Sequence, residues 1–136
     1  LPSEYVTPVF LNLGEVLAIH EDVIRRYGGS LGIRDLALLE SAIGMPQASF
    51  GDQYLHDSIP AMAAAYCFHL VANHPFLDGN KRVGAAAANV FLEMNDWVLD
   101  AKQDRYAEVV LSIAASRADK REATVFFAQH AITRRG

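Results

Sequence analysis

The stretch IPAMAAAYCFHLVANHPFLDGNKRVGAAAANVFLEM, residues 59–94, sets two helical runs on either side of a short break at residues 74–79. The first run, Ile59 to Asn73, is apolar on nearly every face (Met62, Ala63, Ala64, Ala65, Tyr66, Phe68, Leu70, Val71), which predicts a central helix rather than a surface one. Pro60 suits its first turn, and Pro75 forbids its continuation. The second run, Asn80 to Met94, carries Ala85, Ala86, Ala87 and Ala88, small side chains that let another helix approach closely.

Working outward, helical periodicity dominates and alternating strand patterns are scarce. A helix is predicted over Leu13 to Tyr27, with Val16, Leu17, Ile19, Val23 and Ile24 inward, closed by Gly28-Gly29. Another spans Ile33 to Ile43, with Leu36, Leu38, Leu39 and Ile43 inward. Residues 44–57 read as a loop or short flap, in which Phe50 and Tyr54 either cover the core or contact a target. Asn95-Asp96 turns into a short strand, Trp97-Val98-Leu99, before helices over Gln103 to Ala115 and Asp119 to Thr133. Arg134 and Arg135 are expected to fray. The result is an all-α bundle of about six helices forming a single domain over residues 1–136, without repeats or low-complexity linkers.

Composition narrows the function. A chain of 136 residues can bury one sizeable core. Its net charge of −4 argues against binding nucleic acid through overall attraction, so no direct nucleic-acid partner is expected. Cys67 stands alone between Tyr66 and Phe68, which excludes a disulfide framework, suits a reducing cytoplasm and reads as a small buried hydrophobe. Leu1-Pro2-Ser3-Glu4 shows no secretory pattern. Residues 58–77 lack charge but hold Pro60, His69, Asn73, His74 and Pro75, which predicts burial within protein and no membrane span.

The chemistry gathers in His74-Pro75-Phe76-Leu77-Asp78-Gly79-Asn80-Lys81-Arg82. His74 falls at the end of the central helix, where its ring can either meet helix carbonyls or take the proton of an attacking hydroxyl as a general base. Its neighbours favour the second role. Phe76 is expected to anchor the loop in the core. Asp78 is a hard oxygen ligand suited to Mg²⁺ carrying nucleotide phosphates, an N-cap for the next helix, or both. Gly79 and Asn80 can present backbone N–H groups at the positive end of that helix, and Lys81 and Arg82 add a point charge and a phosphate-binding fork.

Other readings fit poorly. Gly79 and Gly84 have P-loop spacing, but Ala85-Ala86 stand where Lys and Ser or Thr are needed, and no strand precedes. His69 and His74 are five apart with no intervening glutamate, unlike a zinc-hydrolase helix. His69 reads as a satisfied core histidine, and His20 and His56 as histidines in more exposed settings.

The motif from His74 to Arg82 resembles the signature of Fic/Doc proteins, and Gly-Gly-Ser-Leu-Gly-Ile-Arg-Asp at 28–35 resembles the Doc, or death-on-curing, branch. The resemblance implies a Fic fold in which the motif joins two central helices and binds ATP with Mg²⁺. It implies His74 as the base, Asp78 as the Mg²⁺ ligand, and Gly79, Asn80, Lys81 and Arg82 at the nucleotide phosphates.

Fic adenylyltransferases typically carry Gly where Lys81 stands and Arg where Ala85 stands; the Doc branch carries Lys with a reversed nucleotide and phosphorylates a threonine of elongation factor Tu, stopping translation. The resemblance thus implies a toxin kinase. Protein adenylylation is the enzymatic alternative, because Gly79 is closer to the wider Fic signature, and a non-catalytic nucleotide- or partner-binding regulator is the other. The family's autoinhibitory motif needs Glu followed by Gly or Asn, and none of the seven glutamates satisfies it. Restraint is therefore expected in trans, from a Phd-type antitoxin whose disordered segment folds against the toxin.

Overall fold

The structure, a computed structural model, describes residues 7–134. The chain runs α1 (Leu13–Tyr27), α2 (Leu36–Gly44), a 3₁₀ turn (Met45–Gln47), β1 (Ser49–Phe50), β2 (Gln53–Tyr54), α3 (Ile59–Asn73), α4 (Asn80–Met94), β3 (Trp97–Leu99), α5 (Gln103–Ala114), α6 (Lys120–His130) and β4 (Ala131–Thr133). The fold is the expected all-α Fic-type bundle, with the motif loop between α3 and α4. The expectations for residues 1–4 and for Arg135 lie outside the described residues.

α3 is the axis of the bundle. It packs against α2, α4, α5 and α6, and its residues 60–67 are buried without interruption. Ser58 caps it by accepting from the Ala61 N–H. The closest approach, to α4, depends on Gly84: a Cβ there would stand 2.6 Å from Val71 Cγ2 and 3.1 Å from the Cys67 carbonyl. Ala87 and Ala88 continue the same small-residue face, fully buried. Cys67 is a buried free thiol in this interface, and burial pushes its pKa up to about 12, as an inert packing residue requires.

Polar anchors tie the periphery to this core. The Leu11 N–H donates to the buried Tyr66 hydroxyl at 2.9 Å, and Asn95 at the end of α4 bonds both backbone groups of Val9. Tyr106 donates its hydroxyl to the Ala85 carbonyl at 2.7 Å, joining α5 to α4.

Two helix boundaries differ from the periodic reading by more than one residue. α2 begins at Leu36 rather than Ile33, because Ile33 and Arg34 spend their backbone on the motif loop and Asp35 caps the helix through the Leu38 N–H. α6 stops at His130 rather than Thr133. The β-branched pair Ile132-Thr133 instead lies antiparallel to Val98 and Trp97. This small sheet also holds Arg134, whose N–H donates to the Asp96 carbonyl at 2.9 Å, so the backbone of Arg134 does not fray there. The segment 44–57 forms a flap, its 3₁₀ turn followed by a two-stranded hairpin that leaves Phe50 88% exposed.

Candidate active site

The loop between α3 and α4 is built on the segment 28–35. Ser30 donates its N–H to Asp78 Oδ2 at 3.0 Å, Leu77 donates to the Gly32 carbonyl at 3.0 Å, and Ile33 forms an antiparallel bridge with Phe76. The N–H groups of Arg34 and Asp35 both reach the Pro75 carbonyl, at 2.7 and 3.0 Å. The guanidinium of Arg34 adds bonds to the carbonyls of His74 and Asn73. The loop is thus zipped residue by residue to a second strand-like segment, which fixes a conformation that its own few residues could not hold.

Beneath the loop, Phe76 is fully buried, as expected of an anchor. Its ring stacks on His20 at 3.8 Å between centroids, and His20 Nε2 donates to the Asp78 carbonyl at 2.8 Å. His20 is therefore a buried support of the site, 3% exposed, and the expectation of an exposed histidine fails for it. It fails for His56 too, which is 8% exposed. His69 is only partly covered, but its buried Nε2 finds no partner among the described residues, so it is not the satisfied histidine expected.

His74 closes α3 in a left-handed conformation, φ 52° and ψ 52°, that turns its exposed ring out of the helix. Asn80, buried at the start of α4, faces it. Asn80 Oδ1 accepts from the Phe76 N–H at 2.9 Å, which directs Nδ2 to the Phe76 carbonyl at 3.0 Å and to His74 Nδ1 at 3.2 Å. An amide nitrogen only donates, so the network assigns His74 Nδ1 as acceptor and places the proton of the neutral ring on Nε2.

Gly79, at φ 78°, is the N-cap of α4 and supplies no side chain to its first N–H groups. That left-handed angle is one that glycine adopts without strain. Asp78 does not cap the helix either, which removes one of its two expected roles; its exposed carboxylate accepts from Ser30 instead. Lys81 and Arg82 are exposed on the first turn. Neither pairs with a carboxylate among the described residues, and the Arg82 guanidinium lies over the Tyr27 ring at 4.2 Å. Uncapped N–H groups, a helix dipole and two cations make this an anion-binding end.

For a metal, Asp78 stands alone: the described residues hold no cluster of three or more His, Cys, Asp or Glu side chains fit for an ion. One exposed carboxylate next to an anion site fits Mg²⁺, which keeps waters and takes phosphate oxygens rather than an all-protein cage. The motif residues named from sequence thus converge on one end of α4. Ser30, Arg34, His20 and Tyr27 support the site without having been assigned a role there. For His20 a signal existed, since it shares the inward face of Val16, Val23 and Ile24 at helical spacing.

A signature loop between two packed helices, with a histidine at the end of one and an uncapped, cationic start to the other, defines a Fic-type site. The profile of the Fic/DOC family matches residues 10–92, and the chain belongs to that family. It is similar to the toxin Doc of Mycolicibacterium smegmatis, 39% identical over 92 residues that cover 61% of this chain and 68% of that protein. It is also similar to the protein kinase doc of Escherichia phage P1, 35% identical over 81 residues that cover 60% of this chain and 64% of that protein. Among the described residues no helix is long and apolar enough to cross a membrane.

Proposed function

We propose that the protein is a Doc-type toxin kinase that transfers the γ-phosphate of ATP to a threonine hydroxyl of elongation factor Tu, arresting translation in the cytoplasm. A Phd-type antitoxin would restrain it in trans. The observation that carries the reading is the meeting of His74, Asp78, Lys81 and Arg82 around the uncapped start of α4, with Asn80 bridging that helix to the His74 ring. The relatives named toxin and protein kinase support the toxin and kinase parts of it. By family resemblance, Lys81 and Ala85 favour phosphorylation over adenylylation.

His74 would take the proton of the threonine hydroxyl as its oxygen bonds the γ-phosphorus and the bond from that phosphorus to the ADP oxygen breaks. To do so it must present an unprotonated nitrogen. Exchanging the Asn80 contact, worth about 1 kcal/mol, frees Nδ1 or lets an Nδ1–H tautomer offer Nε2. Arg82 and the N–H groups of the first turn of α4 would hold phosphate oxygens, and Lys81 would add charge where the transferred group loads. Asp78 would hold Mg²⁺, which supplies charge neutralisation at the phosphates when bound.

The enzyme reading is tested by expression in a bacterial host. Growth should stop with the wild-type chain and resume with His74→Ala at equal protein level. Arrest that persists with His74→Ala would favour the regulator alternative, in which the motif is a binding shape.

A further inference from the structure

We infer that Arg34 is a positioning residue for His74, acting through the backbone of the active-site loop; the inference rests on the reading of His74 as the base. The last carbonyls of a helix lack intrahelical donors, and a glycine commonly resolves the end. Here α3 ends on a histidine held at φ 52° and ψ 52°, a conformation that costs a residue with a Cβ about 1 kcal/mol or more.

Arg34 supplies the missing donors. Its Nη2 donates to the Asn73 carbonyl at 3.0 Å and its Nε to the His74 carbonyl at 2.6 Å. Those carbonyls belong to the peptide planes before and after the His74 Cα. Pinning both planes fixes the φ and ψ between them, and so the direction in which Cβ and the imidazole leave the chain. The backbone N–H of the same residue, with that of Asp35, holds the next carbonyl, that of Pro75. Three successive carbonyls, of residues 73, 74 and 75, thus hang on Arg34 and its neighbour.

A rigid planar fork is what the arrangement needs. A lysine at 34 would keep the charge, but its single ammonium could not span two carbonyls in a fixed geometry. Arg34 is exposed and pairs with no carboxylate among the described residues; the bonds of its guanidinium go to the carbonyls of Asn73 and His74.

The test compares Arg34→Lys and Arg34→Ala with the wild-type full chain in three measurements. These are thermal melting, kcat and KM for ATP in the transfer assay, and the ¹⁵N spectrum of ring-labelled histidine, with the His74 signal identified by His74→Ala. A displaced reacting group costs on the order of 10²-fold in rate, so kcat should fall about 30- to 100-fold in Arg34→Ala and less in Arg34→Lys. The KM for ATP should stay within about twofold, because the phosphate-binding groups lie on α4 rather than on the pinned carbonyls. The His74 ring signals should move in both variants while those of His130, on α6, stay in place. Unchanged kcat and unchanged His74 signals in folded Arg34→Ala would overturn the inference. So would activity that simply tracks the folded fraction and returns at a temperature where the variant is fully folded. Should the wild-type chain transfer no phosphate, the kinase reading fails and the ring spectrum alone decides the role of Arg34.

Discussion

Asn80 Nδ2 stands 3.2 Å from His74 Nδ1, joining the start of one central helix to the catalytic candidate at the end of the other. Because Asn80 Oδ1 is taken by the Phe76 N–H, the amide cannot turn over without losing bonds to both backbone groups of Phe76. The contact therefore selects a tautomer as well as a rotamer.

Replacing Asn80 by Asp should reverse that selection. A carboxylate has no hydrogen to give, so His74 Nδ1 would become the donor and the proton would leave Nε2. The expected outcome is an Nδ1–H signature in the ¹⁵N spectrum of His74, against Nε2–H in the wild-type chain. Urea unfolding should show a loss of about 1–3 kcal/mol, because the Phe76 carbonyl loses its donor while the Phe76 N–H keeps an acceptor. An unchanged tautomer in folded Asn80→Asp would show that Asn80 does not set the ring.

Tyr27 and Arg82 give a second prediction. The guanidinium is parked over an exposed ring at 4.2 Å, a stacking worth about 0.5–1 kcal/mol at such a site. If the ring holds Arg82 ready for phosphate, Tyr27→Ala should raise the KM for ATP by about two- to fivefold, the same energy expressed as binding. Arg82→Ala should raise it further at unchanged melting temperature. Equal KM values in the wild-type chain and Tyr27→Ala would place the stacking outside nucleotide binding.

Acid should weaken the fold through two histidines outside the motif, His56 and His69. Burial, then Lys120 and His56, push His69 down to about 4, and burial with Lys120 also lowers His56. Both rings are thus neutral in the fold and free to protonate in the unfolded chain near pH 6.5. A depressed folded pKa means that the full stability is present above about pH 6.5 and is lost as the pH falls from there toward about 4. Urea midpoints should drop over that window, and His69→Phe should flatten the drop. A midpoint independent of pH between those limits would contradict the buried neutral state.

How much of this was legible in sequence divides along local and long-range lines. α1, α3 and α4 stand where periodicity placed them, because each carries its own signals: Gly28 after Tyr27, Pro60 in the first turn of α3 and Pro75 as its stop, and the Asn95-Asp96 turn after Met94. Ile33, Arg34, Ile132 and Thr133 were read as helical because their partners, residues 74–77 and 97–98, are far along the chain. At the site, residue types and order suggested the chemistry of the motif. The pinning of its backbone by Gly32 and Arg34, and of the Asp78 carboxylate by the Ser30 N–H, could not be read, since bonds made to or from a main-chain group far along the chain leave no residue-type signature. Asp78 shows the boundary well: sequence left two roles open, and only geometry removed the capping one.

The central claim is phosphoryl transfer with His74 as base, and one labelling experiment addresses it most directly. The purified chain is incubated with elongation factor Tu, Mg²⁺ and ATP labelled at either the α- or the γ-phosphate, with His74→Ala in parallel. Label should pass to the factor from the γ position only, and His74→Ala should slow the transfer by about 10²-fold or more, the usual contribution of a general base. Transfer from the α position, or γ transfer at an undiminished rate in His74→Ala, would contradict the account.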